Sequence, residues 1–404
     1  MQSNTSKRLM LAAAIAAAIA TMGAQAQEDS ENERDRENEE PTAEIDRIVV
    51  SGSPQAGGLK KREASFSITT ATPEEIDDAQ PSSTADLLKI VPGVWVESTG
   101  GQTGANIDVR GFPGGSDAPF VTFQIDGSPI FPPPTLSFLE NSSLFRIDQT
   151  IDHIEVLRGG PSPVFSNGQP GATINVIQKR GSAYLESLAR ITVGSNGKER
   201  FDGFVSGPIS DDWFFSLGGF YREDDGVRDT EFPANEGGQL SGTLTHEFDR
   251  GEFTLYGRVL EDDNAFFTAI PLTIDPDGGI SAFPGFDPTE DTLLGNDFRN
   301  PEIQVTPGDE PGTINPDLTE GRGVELVSFG GTLDLELGEW SLNNRTNFLD
   351  GDTPTNGLFT GPTPQSLDSF ISDTIAAVNS DPNLVDAAGG EASSGDAVFF
   401  NGGQ

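Results

Sequence analysis

Few side chains in this 404-residue chain combine the type and the spacing that covalent chemistry needs. It has two histidines, His153 and His246, and no cysteine, so a zinc centre or a thiol nucleophile is close to excluded. His153 precedes Ile154-Glu155 and His246 lies near the end of an alternating segment, and a structural role is the simpler expectation for both. Carboxylates are plentiful, but abundance in loops is not a paired acid and base. Gly159-Gly160-Pro161 and Gly168-Gln169-Pro170-Gly171 lack the lysine and the strand-to-helix setting of a phosphate cradle, and read as tight turns. No catalytic residue, resident metal or cofactor is expected.

The elements that surround these residues belong to an exported chain. Lys7 and Arg8, the apolar stretch Leu9 to Ala20 and the small-x-small site Ala24-Gln25-Ala26 predict a signal peptide over residues 1–26. That apolar stretch is short of the roughly 20 residues of a bilayer-spanning helix. No later segment is apolar enough for one, so any membrane passage must be a closed sheet. The absence of cysteine also removes disulfides as the staple of an exported fold. A formal charge of −40 makes nucleic acid a poor partner and disfavours adsorption to an anionic surface. The 48 glycines and 28 prolines predict turns and long loops.

Residues 27–43 are acidic and almost devoid of apolar side chains, and read as a solvated, disordered tether. A short β-branched run follows, Glu44-Ile45-Asp46-Arg47-Ile48-Val49-Val50-Ser51-Gly52. From Phe66 to Arg180 short strands alternate with two modest helices, opened by Pro73-Glu74-Glu75 and by Ser83-Thr84-Ala85-Asp86. Strands are predicted at Val94–Val96, Ile107–Val109, Phe120–Ile125, Ile154–Leu157 and Thr173–Ile177, with loops at 97–106, 110–119 and 127–143. This is a small α+β domain.

Four ordered pieces stand within it: Val109-Arg110-Gly111-Phe112, Gln124-Ile125-Asp126-Gly127, Ile154-Glu155-Val156-Leu157-Arg158-Gly159-Gly160-Pro161, and Gly171-Ala172-Thr173-Ile174-Asn175-Val176-Ile177. Their order resembles the plug domain of TonB-dependent outer-membrane receptors, over roughly residues 44–181. The resemblance implies a TonB box at 44–52, with Ile45, Asp46, Arg47, Ile48, Val49, Val50 and Ser51 offered to TonB, and a plug over 53–181. Strand addition to a partner's sheet edge is the physical basis of such a box; the alternative is that this run is the plug's own first strand. It also implies that Arg110 and Arg158 seat the plug against acidic groups of a surrounding barrel. Local pairing with Glu155 or Asp108 is the alternative. The apex loops would meet ligand through Thr99, Gly100, Gln102, Pro113, Ser116, Asp117, Ile130 and Phe131.

After Arg180 the pattern becomes strict alternation over seven segments: 184–193, 199–207, 213–222, 239–248, 252–261, 324–337 and 340–350. In the third, Trp213, Phe215, Leu217, Gly219 and Tyr221 share one face, opposite Ser216, Gly218 and Arg222. Links 208–212, 249–251 and 338–339 are tight and 223–238 and 262–323 are long, although the first outer link, 194–198, is short. Short inner turns and long outer loops are the asymmetry of an outer-membrane barrel. The long link carries Phe266, Phe267, Phe283, Phe286 and Phe298 among many acids, for ligand capture or as a solvated shield. The expected fold is therefore an α+β plug followed by antiparallel transmembrane strands at 182–404. Plugged transporters use about 22 strands, so the chain is expected to be a fragment and inactive alone. The family resemblance implies an outer-membrane receptor importing an extracellular ligand, a ferric siderophore first and a carbohydrate next. Its partners would be TonB with its inner-membrane complex, the ligand and outer-membrane lipid. A passive channel or adhesion protein is the alternative.

Overall fold

The structure is a computed structural model that describes residues 49–50, 59–60, 67–98, 100–112, 120–130, 141–159, 170–296, 299–305, 312–358, 367–383, 385 and 390–393. The expected signal peptide, the tether, most of the TonB box and Thr99, Pro113, Ser116, Asp117, Phe131 and Phe298 lie outside the described residues.

Strands β1 (Val49–Val50) and β2 (Leu59–Lys60) pair antiparallel as a sheet of their own, separate from the plug sheet. The plug sheet begins with β3 (Ile68–Ala71). Helix α1 (Pro73–Ala79) follows, opened by a complete capping box between Thr72 and Glu75 with Pro73 in its first turn. In that box the Thr72 hydroxyl accepts from the Glu75 amide and the Glu75 carboxylate from the Thr72 amide, satisfying two otherwise orphan donors. Helix α2 (Thr84–Leu87), capped by Ser83, runs into a 3-10 turn at Leu88–Ile90. The hairpin β4 (Val94–Ser98) and β5 (Ala105–Val109) comes next.

Strands β6 (Val121–Ile125), β7 (Ser128–Ile130), β8 (Ile151–Arg158) and β9 (Ala172–Gln178) complete a five-stranded sheet in the order β3-β8-β9-β6-β7. Its register explains its two faces. Ala71, Ile154, Val176 and Ile125 form one row and Val156, Ile174 and Phe123 the next, and all are buried in the main core. The other face carries a polar row, Thr70, Glu155, Asn175 and Gln124, that is just as buried. This polar face therefore needs partners, because buried polar groups without hydrogen bonds are costly.

A second sheet follows in strict chain order. It comprises β10 (Glu186–Val193), β11 (Glu199–Ser210), β12 (Trp213–Asp224), β13 (Asn235–Phe248) and β14 (Gly251–Asn264). Four short strands intervene: β15 (Leu272–Ile274), β16 (Ile280–Ala282), β17 (Ile303–Val305) and β18 (Gly312–Ile314). Strands β19 (Val324–Leu337) and β20 (Trp340–Asp352) then complete the sheet, all seven antiparallel. These are the seven expected segments, several extended by two to four residues at their outer ends. Among the described residues no helix is long and apolar enough to cross a membrane, a result that does not bear on strands.

This sheet is inside out. Ser216, Arg222, Gln239, Ser241, Thr243, Arg258, Asp262, Ser328 and Thr332 are buried, while Ile191, Val193, Leu255, Val259, Val327 and Phe348 are exposed. On β19 the neighbours Ser328 and Phe329 are 5% and 55% exposed. Water would penalise that arrangement by roughly 25 cal/mol per Å² of apolar surface, whereas lipid rewards it. At the short-turn end, Trp213 stacks on His246 with centroids 4.4 Å apart, Phe248 lies 5.7 Å from His246, and Trp340 is exposed. Aromatic rings of this kind form the interfacial girdle of such walls.

The plug and this wall form one compact unit. A second unit comprises Arg228–Glu231, Phe267–Leu318 and the residues from Asn356 onward. It contains the hairpins β15–β16 and β17–β18, an Arg299–Asp317 ion pair at 3.3 Å and helix α3 (Leu367–Ser380).

Candidate functional site

The candidate site is the seat of the plug against the polar face of the wall. Asp262, on the inward face of β14, is fully buried and gathers two guanidinium groups. Arg146, from the plug segment before β8, donates from Nε to Asp262 Oδ2 at 2.6 Å. Arg222, on β12, donates from Nη2 to the same oxygen at 2.9 Å and to Asn264 Oδ1 at 2.6 Å. The Arg146 Nη1 also donates to the Ser143 carbonyl at 2.6 Å. A buried carboxylate shared by two arginines is tolerated only because its remaining lone pairs are occupied, here by Asn264 Nδ2 at 3.0 Å.

Gln239 on β13 grips the plug backbone beside this knot. Its Oε1 accepts from the Arg146 amide and its Nε2 donates to the Arg146 carbonyl, both at 3.0 Å. The same Nε2 reaches Asp148 Oδ2 at 2.7 Å. A second line of contacts runs from Asp126 through Gln178 to Arg258 and Ser241. Gln178 Nε2 donates to Asp126 Oδ2 at 2.8 Å, and Arg258 donates to Gln178 Oε1 and Ser241 Oγ, each at 3.0 Å.

Helix α1 meets the wall differently. Arg190 on β10 makes a two-point pair with Asp77, Nη1–Oδ1 at 2.9 Å and Nη2–Oδ2 at 2.7 Å. The Arg190 guanidinium holds the Asp77 carboxyl below the usual carboxylate range.

The expected seating arginines bond within the plug. Arg110 Nη1 donates to the Arg158 carbonyl at 3.1 Å, and Arg158 donates to Ser67 Oγ at 2.7 Å and to the Pro92 carbonyl. Glu155 is buried in the polar row, receiving Asn175 Nδ2 at 3.4 Å, with His153 Nε2 at 3.5 Å. The arginine-to-wall contact is made by Arg146, which sequence reasoning missed. Its signal was a lone charge inside the apolar run Leu144-Phe145-Arg146-Ile147.

Of the expected apex residues, Gly100 and Gln102 reach the outer end of the wall. Gly100 has φ +88°, and its Cα faces the Phe266 ring so closely that an added Cβ would stand 2.1 Å from it. Gln102 Nε2 donates to Asp224 Oδ2 at 3.1 Å, and Thr103 Oγ1 donates to the Arg322 carbonyl at 3.1 Å. Arg322 in turn lies 4.6 Å over the Phe266 ring. Ile130 is a correction: it sits on β7 in the plug core, 1% exposed, and so cannot face a ligand. The Asp126-Gly127 turn, both residues at positive φ, folds Ser128–Ile130 back onto β6 as a strand rather than a loop.

Residues 60–173 match the family described as the TonB-dependent Receptor Plug Domain. Over that stretch the chain carries the plug domain of TonB-dependent receptors. It is similar to the ferric-pyoverdine BN7/BN8 receptor of Pseudomonas putida, 32% identical over 156 residues, which are 38% of this chain and 17% of that protein. The ferrioxamine receptor of Yersinia enterocolitica is 27% identical over 168 residues, 40% of this chain and 22% of that protein. The chain thus spans less than a quarter of either relative's length. Among solved structures, FpvA of P. aeruginosa bound to heterologous pyoverdines superposes with a TM-score of 0.54 at 19% identity, over 76% of this chain and 37% of that one. That likeness carries the fold, a plug followed by antiparallel barrel strands. The receptor's location is the Gram-negative outer membrane. Receptors of this family bind and transport rather than catalyse. Among the described residues no group of three or more His, Cys, Asp or Glu is placed to hold a metal ion.

Proposed function

We propose that the protein is a siderophore receptor whose plug is moved by TonB to admit an iron chelate to the periplasm. The observation that carries this reading is the buried Arg146–Asp262–Arg222 seat on the polar face of an inside-out wall. A closed barrel whose lumen was filled in this way would have no passive route, so passage would need work done on the plug. The relatives are receptors for ferric pyoverdine and ferrioxamine, which favours a ferric siderophore over a carbohydrate as cargo. The Ile45–Ser51 segment is the proposed TonB contact. Val49 and Val50 within it pair with Leu59–Lys60, so these two residues are extended and suited to exchange one strand partner for another. The apex residues Gly100 and Gln102, with Phe266 and Arg322 beside them, are the proposed floor of the ligand site.

A passive channel or an adhesion protein would need neither the seat nor the extended segment. The test is growth of an iron-starved Gram-negative host on a panel of ferric siderophores supplied as sole iron source. Growth that requires both the full-length receptor and an intact TonB is expected. Growth on any of them without TonB would reject the energised reading.

A further inference from the structure

The outer end of the wall carries a polar row one step beyond the Arg222–Asp262 knot. Asp224, Asn235 and Asn264 stand opposite one another on β12, β13 and β14, and all three are buried on the inner face. The plug meets this row with Gln102, from the loop between β4 and β5. Gln102 Nε2 donates to Asp224 Oδ2 at 3.1 Å, and Asn235 Nδ2 donates to Asp224 Oδ1 at 2.6 Å. The Gly226 amide is a third donor, to Oδ1 at 2.9 Å.

Hydrogen-bond accounting leaves this group short of donors and of positive charge. An ionised carboxylate only accepts, so both side-chain amides must turn their NH2 groups to Asp224; reversing either would set oxygen against oxygen. That leaves their own oxygens. Asn235 Oδ1 and Gln102 Oε1 are buried and meet no donor among the described residues. Asp224 is 4% exposed, and the donors that hold it are all neutral. On the same face of the sheet, Asp262 and Asp202 are each paired with arginine. Arg222, two residues from Asp224 on β12, is committed to Asp262 and Asn264.

We propose that Asp224 Oδ2, Asn235 Oδ1 and Gln102 Oε1 form a cation site that ties the apex loop of the plug to the wall. One carboxylate and two amide oxygens are acceptors only. Such a set suits a hard metal cation such as calcium, with water completing its shell. It equally suits an ammonium group, whose three N–H donors match three acceptors. Water would satisfy the amide oxygens but would leave the buried negative charge unbalanced. The cation has two sources, a free metal ion or a protonated amine carried by the ligand. The second rests on the siderophore-receptor reading and adds to it a charge that the cargo must bear.

The test is hydrogen exchange of the apex loop, read by mass spectrometry on the full-length receptor in lipid nanodiscs at constant ionic strength. The probes are calcium chloride, propylammonium chloride and tetramethylammonium chloride, the last carrying charge without an N–H donor. A cation at roughly ten times its dissociation constant should slow exchange of the amides in 100–105 about tenfold. Protection by calcium assigns the site to a metal ion, and protection by propylammonium alone assigns it to a ligand amine. Asp224→Asn should abolish either effect while the amides of β12 to β14 keep their exchange rates. Gln102→Glu adds a second charge and should lower the half-saturating concentration about tenfold, which a purely structural Gln102 would not do. Equal protection by tetramethylammonium, protection that survives Asp224→Asn, or none from calcium and propylammonium would overturn the proposal. No transport is measured, so this result is independent of the TonB requirement tested by growth.

Discussion

Asp262 is where a single atom change should matter most. Asp262→Asn removes the charge shared by Arg146 and Arg222 and leaves two guanidinium groups buried without it. Breaking a buried pair in this way costs about 3–5 kcal/mol, so the plug should become sensitive to protease at lower denaturant. Arg110→Ala, which removes one exposed bond to a carbonyl, should shift the same midpoint by no more than about 0.5 kcal/mol. His153 gives a pH-dependent prediction. Burial alone would lower its pKa, but hydrogen bonds with Asp152 and Glu155 outweigh burial and raise it from 6.5 to about 9. The folded plug then holds this proton more tightly than the unfolded chain. The stabilisation is complete below pH 6.5 and is lost as pH rises through about 9. Thermal melts across that window should show a falling midpoint, and His153→Gln should flatten the slope. The sequence pointed to Arg110 and Arg158 because recurring motifs frame them. Arg146 has no such frame, and only the three-dimensional position of Asp262, far along the chain, reveals its task.

At the scale of elements, the wall was readable almost to its ends because period-two alternation survives any tertiary context. Inward Ser216 and outward Leu217 differ in polarity whatever surrounds them. What the pattern could not give was the extra turn of strand at the outer ends, where Asp224, Asn235 and Asp262 are polar and read as loop. In the plug, β7 was hidden for a different reason. Asp126-Gly127 is a hairpin signal, but the prolines that follow Phe131 make the segment look like irregular chain. Ile130 was therefore expected at a surface, whereas its burial in the core fixes the hairpin. The inside-out wall makes its own prediction. Leu255→Arg, on the outward face of β14, should cost about 2–4 kcal/mol of folding into lipid vesicles if it lies near the bilayer midplane. Equal folding yields in vesicles for Leu255→Arg and the parent would mean that this face does not meet lipid.

Taken whole, the molecule joins a polar-faced domain to a polar-lined wall. Each surface supplies hydrogen bonds to the other, as at Arg146–Asp262, Gln239–Arg146 and Arg258–Gln178. That mutual dependence makes the plug a seated body rather than a loose tether, and under the proposed function its opening is a matter of applied work. The N-terminal strand pair lies directly upstream of the plug's edge strand, where that work would enter. Its proposed role rests on the chemistry of strand exchange and on the plug domain that follows it. The central claim is that ligand capture and ligand import are separable, the second depending on this N-terminal segment. The most direct measurement is parallel binding and uptake of a radioiron-loaded siderophore that supports growth, by cells carrying the full-length receptor with and without residues 45–52. Loss of uptake with binding affinity unchanged is the predicted result, and undiminished uptake by the deletion variant would contradict it.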